Sequence, residues 1–361
     1  MSAGYALAGD AWTKYCLQEA DRVLLLSTGG PLSADLGNLH AVLGCDLVGL
    51  GIQPGSGCLG PWCEVLHPSA THALTDEADV EGMARLARRL TGRAIGLVLS
   101  GGGARAFAHI GAFEETQRAG IVIDRVAGVG LGAYIGALFA TGHTLEEIDA
   151  RCYEEWVRNR PLGDYTVSRH ALLRGDRLAQ MLRRNFGEVS IEELSCGFSC
   201  ASADLISGQL VISDHGVLAQ ELQASMTLPL LSPPVGRGGR VLVDGSLLDN
   251  LPIGMVDDLG EGPVISVHVQ PRLDSPETNA EAPHPALPEI LSRVFSLASS
   301  SHAAGVSRDP DLLITVTNPE VGLLEFHLID AAREAGRRAA RLALDSLRSM
   351  TSRANDATGQ E

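Results

Sequence analysis

The feature that most constrains this fold is a unit that occurs twice: an apolar strand, a glycine-rich turn and a helix. The first copy runs from Ala94–Leu99 through Gly101–Gly103 into a helix predicted over about Ala104–Ala119. The second runs from Arg125–Val129 through another glycine turn into a helix that reaches about Ala140. Strands this apolar are typically buried on both faces, and this order of elements demands a parallel sheet with helices on its faces. The sequence therefore predicts an α/β fold.

Further elements are predicted on both sides of this pair. Strands are expected at Arg22–Ser27, Leu47–Ile52, Phe198–Leu205, Leu210–Ser213, Arg240–Val243, Val264–Val269 and Leu312–Val316. Helices are expected at Asp35–Leu43, Glu81–Thr91, Leu145–Arg158, Leu172–Asn185 and Leu328–Ser349. Gln53–Trp62 is expected to be a loop, and Pro271–Pro288, rich in Pro, Glu and Ser, a loop or disordered linker.

Charge and cysteine content exclude some classes of function. A net charge of −16 argues against binding to nucleic acid, because no basic surplus is available to neutralise phosphates. It also argues against electrostatic attachment to anionic membranes, although a local basic patch is compatible with it. The seven cysteines contain no C-x-x-C pair and are expected to be reduced and mostly buried.

The sequence gives no indication of a targeting or membrane segment. The first residues lack a basic stretch followed by an apolar one, so no signal peptide is predicted. Val126–Leu145 is uncharged and long enough for a membrane span, but five glycines punctuate it. A buried strand, a tight turn and a buried helix explain this stretch better. We therefore expect a soluble cytoplasmic protein.

The first glycine turn, Gly101–Gly103, is a candidate anion site. Consecutive glycines between a strand and a helix leave N–H groups uncovered, and the positive end of the helix adds to them, so the turn can hold a developing oxyanion. Two alternatives remain open for this segment. It is either a tight turn without a ligand, or a GxGxxA dinucleotide fingerprint (Gly101, Gly103, Ala106) with Asp124 as its acidic partner.

The second glycine turn has the layout of a nucleophile elbow. Gly128 and Gly132 flank a central residue between a strand and a helix, so that this residue is thrust out above the sheet. Chemistry requires a hydroxyl at that point, and the central residue is Gly130. A third segment places Asp244 and Gly245 at a strand end, where a carboxylate can approach another loop closely, although Asp-Gly pairs are most often simple turns.

Taken together and in this order, the three segments resemble the patatin-like phospholipases, most closely the esterase domain of the neuropathy target esterase group. Those proteins carry a glycine loop followed by Arg, a GxSxG elbow and an Asp-Gly strand end. The resemblance extends to "AHIGAF" after Arg105, "GALFA" after the elbow, "ASMTLP" at Ala224–Pro229 and "NLP" after Asp244. It also covers Ala11–Ala20, Leu86–Gly92 and the C-terminal helix, and reduces the dinucleotide interpretation to a remote alternative.

The resemblance implies a three-layer sandwich with a mainly parallel central sheet and a defined site. Asp244 would be the base of a Ser-Asp dyad, with Gly245 as its motif partner. Gly101, Gly102, Gly103 and the Ala104 backbone would form the oxyanion hole, steadied by Arg105. The substrates would be acyl esters of phospholipids or lysophospholipids. No metal, cofactor or nucleic acid is implied, and transient contact with a membrane surface is left open.

The resemblance also divides the chain into segments. Residues 1–92 are expected to form the α/β segment that precedes the esterase domain in relatives, and residues 93–271 the phospholipase core. Residues 272–288 are expected to be a flexible loop, 289–350 a helical completion of the domain, and 351–361 a tail.

Gly130 is the departure that affects function most. Removing a nucleophilic serine typically costs on the order of 10⁶ in turnover, or about 8 kcal/mol of barrier. Two hypotheses follow: a phospholipase that lost its nucleophile, naturally or by substitution, or a non-catalytic lipid-binding or regulatory module. Because elbow residues are strained, Gly130→Ser is expected to destabilise the fold by roughly 1 kcal/mol or less. None of the eleven histidines is needed for the dyad.

Overall fold

The strands of this protein form two sheets, one small and one large. The computed structural model describes residues 11–31, 44–166, 171–257, 260–270, 309–318 and 320–345, together with residues 290, 293, 294, 297 and 348. Within these residues the strands are β1 (Leu24–Ser27), β2 (Asp46–Leu50), β3 (Ala70–Leu74), β4 (Gly96–Leu99), β5 (Arg125–Gly128), β6 (Gly197–Asp204), β7 (Leu210–Ser213), β8 (Val235–Arg237), β9 (Arg240–Asp244), β10 (Val264–Gln270) and β11 (Leu312–Thr317).

Helices occur between and after these strands. They are α1 (Ala11–Glu19), α2 (Gly60–Leu66), α3 (Val80–Leu90), α4 (Ala108–Arg118), α5 (Gly130–Ala140), α6 (Leu145–Cys152), α7 (Asp176–Phe186), α8 (Leu218–Ser225), α9 (Gly254–Asp257) and α10 (Ile329–Leu342). A 3₁₀ turn at Gly103–Phe107 leads into α4, and α6 continues as a π-helical turn over Tyr153–Arg158. Thr144 and Glu147 form a capping box that fixes the start of α6.

The large sheet has the order β11-β10-β4-β5-β6-β9-β8. Strand β7 lies outside this order and also pairs with β6. Its first five strands are parallel, and β7, β8 and β9 add antiparallel pairs. The two strand–glycine–helix units lie next to each other, because β4 and β5 pair with Leu99 opposite Gly128. Their glycine turns therefore meet at the same edge of the sheet.

Helices cover both faces of this sheet. On β4, Leu97 and Leu99 face the main core, which is built with α4, α5, α7, α8 and α10. Val98, between them, faces a smaller core beneath α9 with Ile253 and Val256. The strand is therefore buried on both sides, as its uninterrupted apolar sequence predicts. The expected three-layer α/β architecture with a mainly parallel sheet is confirmed.

The small sheet has the order β1-β2-β3, all parallel, and its own core around Leu47, Leu59 and Trp62. A buried charge cluster joins this part to the large sheet. Glu261, which precedes β10, forms ion pairs with Arg89 of α3 and, at 2.9 Å, with Arg125 of β5. All three side chains are at least nine-tenths buried, so the pairs are shielded from solvent.

Two element boundaries differ from the sequence predictions. The helix predicted from Leu172 begins at Asp176, because Gly175 adopts φ +82° as its N-cap and Leu172–Leu173 pair with another segment. The loop predicted over Gln53–Trp62 gives way to α2 at Gly60, with a proline at its first positions. The predictions for 35–43, 271–288 and 351–361 lie outside the described residues.

Three further expectations concern thiols and membrane segments. All seven cysteines are free, and five of them are buried. The uncharged stretch Val126–Leu145 contains β5, the glycine turn and α5, as expected. None of the helices in the described ranges combines the length and apolar character that crossing a membrane requires.

Candidate functional site

The first glycine turn follows β4 and is fixed from both sides. The Ser100 N–H donates to Val267 O at 3.1 Å, and the Ser100 Oγ accepts the N–H of Val269 at 2.9 Å. Gly103 has φ +57°, and a Cβ there would collide with the carbonyl oxygen of Leu323, so only glycine fits. In the described part of the chain the N–H groups of Gly102 and Gly103 have no acceptor. Both glycines line the cleft, so these donors are available to a ligand.

The first glycine turn differs from the sequence expectation at Ala104. Its N–H donates to Leu323 O at 2.8 Å and is therefore already used within the protein. The Arg105 side chain is buried at the edge of the cleft, and its Nη1 donates to Val321 O at 3.5 Å. Arg105 thus contacts the segment that covers the loop and brings a positive charge to the cleft.

The second glycine turn is a sharp strand-to-helix elbow. Val129 is extended, with φ −131°, and Gly130 turns to φ +55° as the first residue of α5. A Cβ on Gly128 would lie 2.9 Å from the Ala133 nitrogen, and one on Gly132 would lie 2.8 Å from Leu99 O. Both flanking glycines are therefore required by close backbone approach. The elbow layout expected from the sequence is present in the backbone.

Asp244 ends β9 opposite the elbow. Its Oδ1 accepts the N–H of Ser246 at 2.9 Å, and its own N–H donates to Thr227 O at 2.8 Å. The motif partner Gly245 packs against β6, where a Cβ would lie 2.5 Å from Ala201 O. Asp244 is 5% exposed, and burial raises the pKa of its carboxyl to about 6, opposed by the hydrogen bond from Ser246.

The elbow and the aspartate meet directly. A Cβ built on Gly130 would lie 3.0 Å from Oδ2 of Asp244 and 3.5 Å from Oδ1. Among the described residues, and apart from the chain next to Gly130 and the backbone of its own helix, these two oxygens are the nearest heavy atoms to that Cβ. The position where a side chain would begin therefore faces the carboxylate.

These residues line one cleft with an empty volume of about 710 Å³, open mouth included. Polar groups converge at its inner end, and the rest of its lining is mainly apolar, as is usual for ligand sites. The apolar residues are Leu131, Trp156, Leu162, Met226, Leu228, Val269, Leu323, Leu324 and Phe326. This apolar surface lies beside the polar end of the cleft.

Sequence reasoning missed two contributors to this site. The buried Ser225, the last residue of α8, accepts the Gly130 N–H on its Oγ at 3.2 Å and so holds the elbow in place. The Asn250 Oδ1 lies beside Gly101, with no hydrogen-bond partner among the described residues. The "ASMTLP" and "NLP" segments marked both regions, but only the folded arrangement brings these side chains to the loop and the elbow.

His109 does not belong to the chemistry of the cleft. It is fully buried, and its Nε2 donates to Ser100 O at 2.8 Å. Burial lowers its pKa to about 4, so the ring is neutral near pH 7 and supports the glycine loop. Among the described residues, no group of His, Cys, Asp or Glu side chains is arranged to hold a metal ion.

Asp124 is badly placed for the dinucleotide alternative. It precedes β5 and so lies at the edge of the sheet opposite the glycine loop. Arg88 donates to its carboxylate from Nη2 to Oδ1 at 2.7 Å and from Nε to both oxygens at 3.0 and 3.1 Å. The Oδ2 atom also accepts the Ile95 N–H at 3.1 Å. An acidic residue that binds ribose must lie beside the loop at the other edge. This geometry argues against dinucleotide binding.

The family model for patatin-like phospholipase matches residues 97–257. An uncharacterised NTE (neuropathy target esterase) family protein of Mycobacterium tuberculosis is 35% identical over 94% of this chain and 60% of its own length. The patatin-like phospholipase domain-containing protein 6 of Homo sapiens is 30% identical over 72% of this chain and 22% of its own length. A distant structural likeness is to VipD from Legionella pneumophila, with TM-score 0.44, 15% identity and coverage of 70% and 67% of the two chains.

The chain therefore carries a patatin-like phospholipase domain. It spans 60% of the length of the mycobacterial relatives and a smaller share of the animal ones. The neuropathy target esterase of Drosophila melanogaster is 35% identical over 54% of this chain and 14% of its own length. Together with the relatives named above, it makes the chain a patatin-like protein of the neuropathy target esterase type.

Proposed function

We propose that the cleft is a carboxylic-ester hydrolase site for phospholipids or lysophospholipids in which Gly130 occupies the nucleophile position. The chain as written then hydrolyses such esters far more slowly than a serine-containing form. The single observation that carries this proposal is the 3.0 Å distance between Oδ2 of Asp244 and the Cβ that Gly130 lacks. The names of the human and fly relatives, a phospholipase domain and an esterase, support the class of substrate.

Each group has a role in the serine-containing form. Asp244 removes the proton from the hydroxyl at position 130, and the oxygen attacks the acyl carbonyl. The ester C–O bond then breaks, the alcohol leaves with that proton, and water hydrolyses the acyl-enzyme to release the fatty acid. The N–H groups of Gly102 and Gly103 stabilise the oxyanion that forms, and the apolar cleft holds the acyl chain. With glycine at position 130, no oxygen is available to form the acyl-enzyme, and the expected loss in turnover is on the order of 10⁶.

A matched set of variants tests this function. Hydrolysis of a lysophosphatidylcholine is measured for the unmodified chain, for Gly130→Ser and for Gly130→Ala, which adds the Cβ without the hydroxyl. We expect activity from Gly130→Ser alone. Equal hydrolysis by the unmodified chain and by Gly130→Ser would contradict the assignment of the nucleophile position.

A non-catalytic lipid-binding or regulatory role is the second candidate, and the same glycine favours it. Such a module would keep the acyl cleft and the buried Asp244 while lacking the reactive oxygen. Inactivity of both the unmodified chain and Gly130→Ser, with measurable binding of a lysolipid, would favour this candidate over the first.

We also propose that the mouth of the cleft contacts phospholipid membranes through an apolar rim, defined as Tyr165, Leu172 and Leu230. These side chains are 74%, 45% and 64% exposed. Leu172 N–H donates to Leu230 O at 3.1 Å, so the rim is held together by the backbone. Leu228, two residues before Leu230, lines the cleft, which makes the rim continuous with the acyl site.

Three exposed arginines lie close in sequence to Tyr165 and Leu172, and we propose them as the local basic patch that the net charge of −16 does not exclude: Arg160, Arg174 and Arg177. We expect the chain to bind vesicles containing phosphatidylglycerol more tightly than pure phosphatidylcholine vesicles.

The substitution Leu230→Asn tests the apolar rim. Asparagine tolerates the φ of +70° that Leu230 adopts, so the backbone can stay unchanged. The variant should bind vesicles roughly tenfold more weakly, because burying a Leu side chain contributes about 1.5–3 kcal/mol. Val80→Ser, at an 80% exposed position outside the rim, is the control. Equal binding by both variants would refute the rim.

A further inference from the structure

The missing side chain of Gly130 leaves a small space with a defined neighbour. The three atoms nearest to the absent Cβ are Oδ2, Oδ1 and Cγ of Asp244, at 3.0, 3.5 and 3.6 Å. Gly130 and Asp244 both line the cleft, so this space opens into it. An oxygen atom of a ligand can therefore take the place of the absent serine hydroxyl and contact the carboxyl of Asp244.

The polar end of the cleft thus offers two positions for oxygen atoms. One lies at the N–H groups of Gly102 and Gly103, which have no acceptor among the described residues, near the positive charge of Arg105. The other is the space at Gly130. A free carboxylic acid carries two oxygens on one carbon and can fill both positions, and its alkyl chain can follow the apolar lining.

We propose that this cleft binds a free long-chain fatty acid, with one carboxyl oxygen at Gly102 and Gly103 and the other in the space at Gly130, where it shares a proton with Asp244. This inference rests on the proposed function, because it takes the same cleft as an acyl site. It adds a ligand class that the glycine makes possible, since a serine side chain would fill the second position.

The shared proton gives this binding a characteristic dependence on pH. Two carboxyl groups at hydrogen-bond distance in a buried site cannot both ionise, so the complex holds one proton between them. Burial raises the pKa of Asp244 to about 6, so this carboxyl takes up a proton more readily than an exposed aspartate. At neutral pH and above, both free partners are ionised, and binding must take up one proton. The affinity is then expected to fall about tenfold for each pH unit.

Calorimetric titration of the unmodified chain tests the proposal. Oleate is titrated below its aggregation concentration at pH 7 and pH 8, in pairs of buffers with different ionisation enthalpies. Oleyl alcohol and an ether-linked lysophosphatidylcholine, which cannot be hydrolysed, serve as comparison ligands. We expect oleate to bind with uptake of about one proton and about tenfold more weakly at pH 8. The two comparison ligands should bind with no proton uptake and no dependence on pH.

Two variants test whether the pH dependence of oleate binding comes from Asp244 and from the space at Gly130. Asp244→Asn keeps a hydrogen-bond donor that does not titrate, so its affinity for oleate should no longer change between pH 7 and pH 8. Gly130→Ser fills the second oxygen position and should weaken oleate binding at least tenfold while retaining the ether lysolipid. Gly236→Ala, where a Cβ has nothing within 4 Å, is the matched control for the glycine substitution.

Failure of this inference can be distinguished from failure of the proposed function. Oleate binding that is independent of pH, or no tighter than that of oleyl alcohol, overturns the fatty-acid site even if Gly130→Ser hydrolyses lysophosphatidylcholine. Rapid hydrolysis by the unmodified chain overturns the proposed function instead. Because the decisive titrations use the unmodified chain, they do not depend on the folding of any variant.

Discussion

The close contact between the two glycine turns predicts that Gly132→Ala destabilises the protein. A Cβ at this position would collide with the carbonyl oxygen of Ser100 and lie 2.8 Å from that of Leu99. A carbon–oxygen contact normally requires about 3.3 Å, so the elbow must move about half an ångström away from the Leu99 carbonyl and still farther from the Ser100 carbonyl. Overpacking of this kind costs about 1–3 kcal/mol.

The expected loss of stability on Gly132→Ala is opposite in sign to the usual effect of this substitution in a helix. Gly132 lies in the first turn of α5, and replacing glycine by alanine in a helix is otherwise favourable by up to about 1 kcal/mol. We therefore expect a net loss of about 1–2 kcal/mol in the free energy of unfolding, measured by urea denaturation. Gly236→Ala, with open space around its Cβ, should lie within about 0.5 kcal/mol of the unmodified chain. A stabilised Gly132→Ala variant would refute the close approach of the two turns.

Two further predictions concern buried charges. Burial raises the pKa of Asp244 from 3.8 to about 6, so its protonated form stabilises the fold, and this contribution is lost as the pH rises from about 4 to about 6. Urea denaturation should therefore show the stability of Asp244→Asn rising by about 2.5 kcal/mol relative to the unmodified chain between pH 4 and pH 8, and no rise would contradict the raised pKa of the buried carboxyl. Glu261→Gln leaves Arg89 and Arg125 without their buried carboxylate and should lower the free energy of unfolding by about 3–5 kcal/mol. The exposed Glu154→Gln should cost less than about 0.5 kcal/mol, and similar losses for the two variants would show that the buried cluster contributes little.

The sequence was sufficient for the features that local pattern determines. The apolar runs of β4 and β5 predict strands buried on both faces, and the repeated order of strand, glycine turn and helix predicts a parallel sheet. Parallel pairing of Leu99 with Gly128 then brings the two turns together. The family motifs also predicted that Asp244 lies opposite position 130.

The remaining features depend on contacts between distant parts of the chain. The Ala104 N–H donates to Leu323 O, more than two hundred residues away, so nothing in the local sequence indicates that this N–H is already used. The support that Ser225 gives to the Gly130 N–H depends on how α8 packs against α5. Leu172 and Leu173 have an apolar pattern compatible with a helix, but they pair with Leu230 and Leu231 instead. In each case tertiary contacts decide between local alternatives.

Covalent labelling of position 130 tests the central claim most directly. A fluorophosphonate probe reacts with a serine hydroxyl activated by a neighbouring base, and peptide mass spectrometry identifies the residue that carries it. We predict labelling at position 130 in Gly130→Ser, no labelling of the unmodified chain, and strongly reduced labelling when Asp244→Asn is added. Labelling of another serine in the unmodified chain, or a Gly130→Ser variant that is folded and does not react, would contradict the assignment of Gly130 as the nucleophile position facing Asp244.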